Sequence, residues 1–262
     1  MTTRETRLQR LGWRLASFGV GLLLVLAWYL VARARLVSPV FLPGPERTWD
    51  ALVSGLMDGD LLAKTGATVA RMIYGWLLAS LAGVALGAVI GVSQTARAYV
   101  EPTLEFLRPL PASAMMPLAV AILGLTDAMV LAIIAFGALW PMLLATVHGF
   151  TAVEPRLYQV GRALGLSRLD VVWKIALPSA LPDILAGLRV GLSIALILAV
   201  VGEMLASRPG LGQVILLAAR SFQSADLYAG VILLGLLGYI SGIMLTAIEQ
   251  RLLRWRTEQR LG

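Results

Sequence analysis

The sequence predicts an all-α membrane protein of about six transmembrane helices in a single domain over residues 1–262, and three observations carry this expectation. Hydrophobic residues fill 58% of the 262 positions and charged residues only 14%, too little polar surface to coat a soluble domain of this size. Uncharged runs long enough to cross a bilayer recur along the chain, separated by segments rich in arginine. The net charge of +7 sits largely beside those runs, where cytoplasmic positive bias explains it and no nucleic-acid partner is needed.

The first run, Leu15 to Val31, follows Arg4, Arg7, Arg10 and Arg14 and predicts a transmembrane helix over 15–32 with its N-terminus inside. Ala32-Arg33-Ala34 has the small-x-small form of a signal-peptide cleavage site, but the run exceeds the roughly 7 to 15 residues of a signal h-region, so the helix is expected to stay. Residues 33–71 read as an external segment. Ser38-Pro39 and Pro43-Gly44-Pro45 break the chain there, and Trp49, Leu52, Val53 and Leu56 then form a helical stripe opposite Glu46 and Asp50, an interfacial helix.

The second span is expected over 73–92, where Gly75, Ala79, Gly83, Gly87 and Gly91 recur at every fourth position, a ladder that admits another helix to backbone contact. A short basic turn around Arg97 follows, then Glu101 to Arg108. Residues 109–150 are interrupted only by Asp127 and His148, about twice the length one span needs, which predicts a hairpin of the third and fourth spans broken near Gly124 to Asp127. Pro109, Pro111 and Pro117 make its start irregular. Irregular backbone at membrane depth lines protein or a water-filled cavity, so this segment either borders a transport path or is a kinked structural helix.

Residues 153–182 are the one long charged and patterned stretch between two apolar regions. Leu157, Val160 and Leu164 share a helical face, and Gly165 stands where a helix C-cap requires positive φ. Ser167 followed by Asp170 has the form of a capping box opening a second helix with Leu169, Val172 and Ala176 on its face, expected to end at Pro178. Such a pair reads a DNA groove, lies on lipid, or docks a partner protein. A fifth span is expected over 184–203, with Arg189 near its start and Glu203 closing it. An external loop at 204–226 contains Pro209-Gly210 and Gly212, and a sixth span covers 227–248 before Arg251, Arg254, Arg256 and Arg260.

Six spans put both termini on one side. Twelve basic residues fall in the proposed cytoplasmic segments (the arginines at 4, 7, 10, 97, 156, 162, 168, 251, 254, 256 and 260, with Lys174), against seven in the external ones (Arg33, Arg35, Arg47, Lys64, Arg71, Arg208 and Arg220). That asymmetry places both termini and the helix pair in the cytoplasm.

Chemistry is sparse in this chain. Cysteine is absent and His148 is the only histidine, which excludes disulfide frameworks and the usual zinc sites. There is no Gly-x-x-x-x-Gly-Lys-Ser/Thr phosphate loop, since Ala63-Lys64-Thr65 lacks the glycines. The spans are almost bare of ionisable groups, which argues against ion coupling and points to a partner as the energy source.

Gly165, nine residues, then Ile175-Ala176-Leu177-Pro178 resembles the EAA loop of binding-protein-dependent ABC importer permeases, whose pattern is Glu-Ala-Ala, three residues, Gly, nine residues, Ile-x-Leu-Pro. Ala163 to Arg168, Leu177 to Pro182 and Gly187-Leu188-Arg189 look like the nitrate, sulfonate and taurine branch. Leu42-Pro43, Leu107 to Pro111, Glu203, Gly210-Leu211-Gly212 and Gly235 to Gly238 extend the likeness over nearly the whole chain. The Glu-Ala-Ala positions depart from the pattern, reading Gln159-Val160-Gly161, so no role of that glutamate transfers to Gln159.

The resemblance implies a type I importer permease fold in a prokaryotic plasma (inner) membrane, crossed several times. Two copies, or one copy and a near relative, form the pore, two ATPase subunits dock on the cytoplasmic side, and an external binding protein delivers the solute. ATP and magnesium then belong to the ATPases, and this chain is no enzyme and binds no cofactor or metal. Carried onto this sequence, the ATPase-coupling element comprises Arg162, Ala163, Leu164, Gly165, Leu166, Ser167, Asp170, Ile175, Leu177 and Pro178. Candidates for the translocation path or gate are Arg108, Pro109, Pro111, Glu203 and Arg220. Glu203 is expected to pair with Arg208 or Arg220 or to line an outer gate, the alternative being a solvated interfacial charge. The solute is expected to be small and anionic. A secondary transporter and a membrane enzyme are the rival readings; ATP dependence separates the first, and the scarcity of paired catalytic groups disfavours the second.

The orientation is tested by single cysteines in this cysteine-free chain. Cysteines replacing Ala51 and Gln213 should react with an impermeant thiol reagent outside intact cells, and one replacing Ser167 only after lysis. External labelling at Ser167 inverts the topology.

Overall fold

A computed structural model describes residues 7–57 and 59–254, with side chains from residue 19 onward. All regular structure among the described residues is helical. The elements are α1 (Arg7–Arg33), α2 (Pro45–Met57), α3 (Leu61–Val92) and α4 (Gln94–Leu107). A 3₁₀ turn (Ala112–Met115) leads into α5 (Met116–Leu123), α6 (Asp127–Thr151), α7 (Pro155–Ala163) and α8 (Arg168–Val171). A π turn (Val172–Ala176) then joins α9 (Leu177–Ala206), followed by α10 (Leu211–Arg220) and α11 (Ser224–Leu252). Among the described residues four stretches are long and apolar enough to cross a membrane: Leu61–Val92, Asp127–Thr151, Arg168–Ala206 and Ser224–Leu252. The bent pair of α4 with the 3₁₀ turn and α5 is either a fifth, broken span or a re-entrant loop. The first expected span corresponds to α1, apolar over Gly19–Arg33.

The chain divides into two units, residues 1–62 with 214–232 and residues 63–213 with 233–262. In the first, Trp28 donates its indole N–H to the Pro43 carbonyl at 2.9 Å and stacks on Tyr228 at 5.8 Å, so the breaker segment after α1 is held by an aromatic side chain. Thr48 and Leu52 bury the inner face of α2. Trp49, read from its spacing as part of that stripe, instead points outward and is exposed.

The second unit is built on α6 and α9, whose small and apolar faces interdigitate with α3. Met129, Ile134, Ala138 and Met142 of α6 meet Leu192, Ala195 and Ala199 of α9 and Met72 and Ala79 of α3 in one core. The glycine ladder of α3 does what its spacing promises. A Cβ on Gly87 would stand 2.6 Å from Thr146 Cβ and 2.8 Å from the Leu143 carbonyl, so the two helix backbones touch there. Trp76 crosses the bundle to donate to the Leu188 carbonyl at 3.0 Å, and Arg189 of α9 finds Glu249 of α11.

Three boundaries differ from the sequence expectation. The stretch 109–150 contains one long helix, α6, rather than two full arms. Its first part is the 3₁₀ turn and the short α5, and these join α4, read from sequence as a connecting segment, through a bend of 81°. Prolines at 109 and 111 limit what can be helical before α5, whose first turn holds Pro117, so the apolar length there is shared with α4. The break itself falls at the expected place: Gly124 has φ +67°, and Thr126, not Asp127, caps α6 by accepting the Met129 N–H. The second boundary is Pro178, which does not end the helix begun at Arg168. Leu177 donates back five residues to the Val172 carbonyl, and this wider turn places the register change where Pro178 has no N–H to give. Residues 168–206 therefore form one continuous stretch. Lastly, the spans expected at 73–92 and 184–203 lie within the longer helices α3 and α9.

A side chain on the α3–α6 contact should not be tolerated. Gly87→Val should lower thermal stability in detergent by about 1–3 kcal/mol, the cost of overpacking a tight contact. Gly242→Ala, where a Cβ meets nothing within 4 Å, should leave the melting temperature within a degree or so, in line with the usual size of surface changes. Equal melting temperatures would show that the α3–α6 contact is loose.

Candidate functional site

Two sites emerge from the second unit, one at the end of α9 and one at the turn between α7 and α8. The first grows from three helix ends. Arg71 lies in the early part of α3, Asp127 opens α6, and Glu203 stands one turn before the end of α9. Ser207, in left-handed conformation at φ +50°, closes α9 with its N–H on the Glu203 carbonyl. The chain then turns back through Arg208 to Gly212.

Glu203 is fully buried. One carboxylate oxygen accepts from Arg71 Nη1 at 3.0 Å. The other accepts from Thr68 Oγ1 at 2.9 Å and from the Gly212 N–H at 3.0 Å. Thr68 Oγ1 also accepts the Leu211 N–H at 2.9 Å. Arg71 spreads its donors further, to Asp127 Oδ1 through Nε at 2.8 Å and to the Pro209 carbonyl at 2.7 Å. Arg208 closes the lattice on Asp127, Nε at 3.2 Å from Oδ1 and Nη2 on Oδ2. Asp127 in turn raises the already high pKa of Arg208. Two acids and two bases balance. Side-chain exposure rises outward, from 0% at Glu203 and 14% at Arg71 to 44% at Asp127.

This geometry corrects the expected pairing. The counter-ion of Glu203 is Arg71, while Arg208 binds Asp127, and a solvated interfacial carboxylate is excluded by the burial. Arg220 is exposed at the end of α10. Gly210 passes so close to the Glu203 carboxylate that a Cβ there would overlap it, which explains the Gly-x-Gly after α9. Arg71, Thr68 and Asp127 were not singled out as site residues from sequence. The one available signal was charge in apolar surroundings: Asp127 alone in a long uncharged run, Arg71 at the edge of another.

Arg108, Pro109 and Pro111 are not part of this lattice. They stand exposed at the bend between α4 and the 3₁₀ turn. The five path candidates therefore do not converge on one site.

The second site is local. Leu166 donates to the Gly161 carbonyl and Gly165 to the Arg162 carbonyl, each at 3.0 Å, the double bond of a Schellman cap with Gly165 at φ +68°. Ser167 then caps α8, accepting the Asp170 N–H at 3.1 Å. Its hydroxyl also donates to Asp170 Oδ2 at 2.6 Å, so the carboxylate holds the hydroxyl where a capping box would take the backbone. Lys174 pairs with Asp170 at 2.5 Å. Gly161 packs under the turn, where a Cβ would stand 3.0 Å from Ile175 and 3.1 Å from Val171, a local reason for glycine in place of the pattern's alanine. Burial pushes the Tyr158 phenol of α7 up. Leu164, Leu169 and Trp173 stand out, 71%, 72% and 66% exposed. Leu166 folds back toward Gly161 and is half-buried. Arg162, Ala163 and Gly165 are exposed, while Ile175, Leu177 and Pro178 line the π turn, half-buried.

The lattice has a measurable consequence. Arg71→Met leaves a buried carboxylate without its cation and should cost about 3–5 kcal/mol of stability, whereas Glu203→Gln in the Arg71→Met background should recover part of that loss. Thermal unfolding of the solubilised protein reads both. A single Arg71→Met change without effect would mean that Glu203 reaches solvent.

Comparison with known proteins places this architecture. Residues 79–254 match the family described as the binding-protein-dependent transport system inner membrane component. The chain is 30% identical to the taurine transport system permease protein TauC of Escherichia coli (strain K12), over 95% of both chains. It is 29% identical to the putative aliphatic sulfonates transport permease protein SsuC of Bacillus subtilis (strain 168), over 95% of this chain and 90% of that one. Its fold matches a chain of the MetNI methionine ABC transporter in an inward-facing conformation, with TM-score 0.64 and 18% identity over 73% of this chain and 95% of that one. The chain therefore belongs to the family of binding-protein-dependent transport system inner membrane components and is a multi-pass inner-membrane permease with the type I ABC importer fold.

Proposed function

We propose that this permease forms the translocation pore of an ATP-driven importer for a small anionic solute of the sulfonate, taurine or nitrate type. Two copies pair to enclose the path. An ATPase dimer, which binds ATP and magnesium, docks on the turn between α7 and α8 from the cytoplasm, where both chain termini also lie, and a solute-binding protein loads the opposite face. Membrane lipid covers the remaining apolar helices.

The single observation that carries the coupling role is the apolar knob around Gly165. Leu164, Leu169 and Trp173 project from a double-capped turn, more than 60% exposed each among the described residues. Amphipathic turns of this kind seat in a preformed groove of a partner. The knob also stands at one end of the unbroken stretch Arg168–Ala206, whose other end carries Glu203. Motion of a docked ATPase therefore has a direct mechanical route into the spans, of the rigid-body type by which such subunits switch. The relatives named for taurine and aliphatic sulfonates support the solute class, and the recognition of the individual solute falls to the binding protein.

The test is docking. Leu164→Asp and Leu169→Asp place a charge in the contact and should each reduce co-purification with the ATPase and ATP-driven uptake into vesicles by about tenfold, as loss of an interface hot spot does. Gly165→Val should add about 1–2 kcal/mol of backbone strain at its positive φ. All three variants should still accumulate in the membrane, since Leu164 and Gly165 lie outside the candidate spans and Leu169 is exposed in the first turn of Arg168–Ala206. Undiminished co-purification of both aspartate variants removes the docking assignment.

A further inference from the structure

Between α3 and the first half of α9 the second unit carries an apolar groove that neither the charge lattice nor the exposed turn uses. Its volume is about 690 Å³, and Phe150 of α6 forms part of its wall. It runs from Trp173 and Leu177, beside the turn joining α7 to α8, to Leu188 and to Leu77 at the midpoint of α3. From Leu77 to Ala88 on α3, and from Leu177 to Leu188 on α9, it follows eleven residues, about 16 Å at roughly 1.5 Å per residue. Both helices belong to stretches long and apolar enough to cross a membrane. The groove therefore covers about half of a hydrocarbon core roughly 30 Å thick, the depth of one leaflet.

Water, a second helix and a hydrocarbon chain make different demands on such a groove. Water or a polar solute needs polar partners, and apolar cavities stay dry. No charged side chain lines the groove among the described residues. Ser80, on its wall, spends its hydroxyl proton on the Trp76 carbonyl at 2.6 Å, and Trp76 in turn donates to the Leu188 carbonyl at 3.0 Å. A second helix approaches closely only over small residues, and α3 has turned Gly83 and Gly87 toward α6. The side it gives the groove is rimmed by Leu77 and Leu81, 48% and 75% exposed, branched side chains that hold another backbone away. A flexible hydrocarbon chain needs neither polar partners nor a smooth face. Trp173 adds an independent sign, since it is exposed at the end of the groove nearest the turn and an amphipathic indole favours the level of lipid headgroups.

We propose that the groove binds one acyl chain of a phospholipid drawn from the leaflet on the side of the turn joining α7 to α8, with Trp173 at the level of the headgroup. The chain lies along α3 and the start of α9 and fills the space beside the π turn, whose Val172 is part of the wall. This is a site and not a share of the fluid annulus, because walls from α3, α6 and α9 order the chain along its length.

The test uses the full chain in phosphatidylcholine vesicles doped with a phosphatidylcholine that carries a photoactivatable diazirine in mid-chain. Irradiation should place adducts on the peptides containing Leu81 and Leu177 at least about fivefold more often than on those containing Ile243 and Met244, exposed on α11, the gain expected where dispersion contacts add up along an ordered chain. After extraction into detergent, native mass spectrometry should find a phospholipid retained on each copy. Ala85→Trp fills the groove and should lower both readings by about fivefold, the same contacts being lost. Val89→Trp, at an exposed position that does not line the groove, should change neither. If Ala85→Trp does not accumulate, the adduct map of the unmodified chain decides alone. Groove adducts that are absent or no commoner than those on α11, or lipid retention unchanged by Ala85→Trp, overturn the proposal. Disulfide cross-linking of Ala85→Cys between copies of this otherwise cysteine-free chain assigns the groove to a second copy, and labelling of Ala85→Cys by an impermeant thiol reagent assigns it to water. Either of these outcomes overturns the proposal as well.

Discussion

A carboxylate removed from all solvent must keep its counter-charge within hydrogen-bond reach, and the contact of Glu203 with Arg71 imposes this on one end of the second unit. Desolvating two ions costs several kcal/mol, offset only where geometry is good and every remaining donor and acceptor is satisfied. Here each Glu203 oxygen is occupied, and Arg71 is shared among a buried acid, a half-exposed acid and a backbone carbonyl. Such an arrangement contributes little net stability against an apolar substitute, but it tolerates almost no other register. It fixes the heights of α3, α6 and α9 relative to one another, and the Gly-x-Gly segment beyond α9 is drawn in to complete it.

Everything between that lattice and the turn joining α7 to α8 is held by shape. Helices in lipid gain little from burying one apolar face against another, so close packing has to supply the adhesion. Gly87 of α3 lets the backbones approach, and the fully buried Ala138, Ala195 and Ala199 do the same between α6 and α9. Polar specificity at one end and small-residue packing along the middle leave the opposite end to be ordered by its own local bonds. There the exposed Leu164 and Leu169 stand on a turn whose own hydrogen bonds are complete.

What was legible in the sequence was local. Gly165, Ser167 and Asp170 lie within six positions of one another, and each bonds to groups at most four residues away, so the turn could be read from spacing alone. The break at Gly124 was equally plain, though the adjacent Thr126 supplies the cap. The partner of Glu203 was not legible, because Arg71 lies 132 positions earlier and competes on paper with Arg208, which is near in sequence. Nothing in composition ranks two arginines by distance in space. Pro178 misled for a different reason: a proline stops an α-helix only when the missing N–H falls within a regular register, and the π turn before it removes that condition. Over 109–150 the first arm is the 3₁₀ turn and the short α5 rather than a long helix, since hydropathy counts apolar residues without asking which of them proline allows to be helical.

The π turn has a geometric effect of its own. Each residue advances an α-helix by about 100°, and the five-residue register of Val172–Ala176 accommodates one residue more than a regular turn. The azimuth of every side chain on α9 relative to α8 is thus offset by that angle, which brings Gly191 and Ala195 round to α6 while Leu169 still faces outward. A family member one residue shorter in this segment would need a straight α-helical connection to present the same two faces. The extra residue at 172–176 therefore acts as an indexing device, setting the rotational phase between the exposed face that carries Leu169 and the face that builds the bundle.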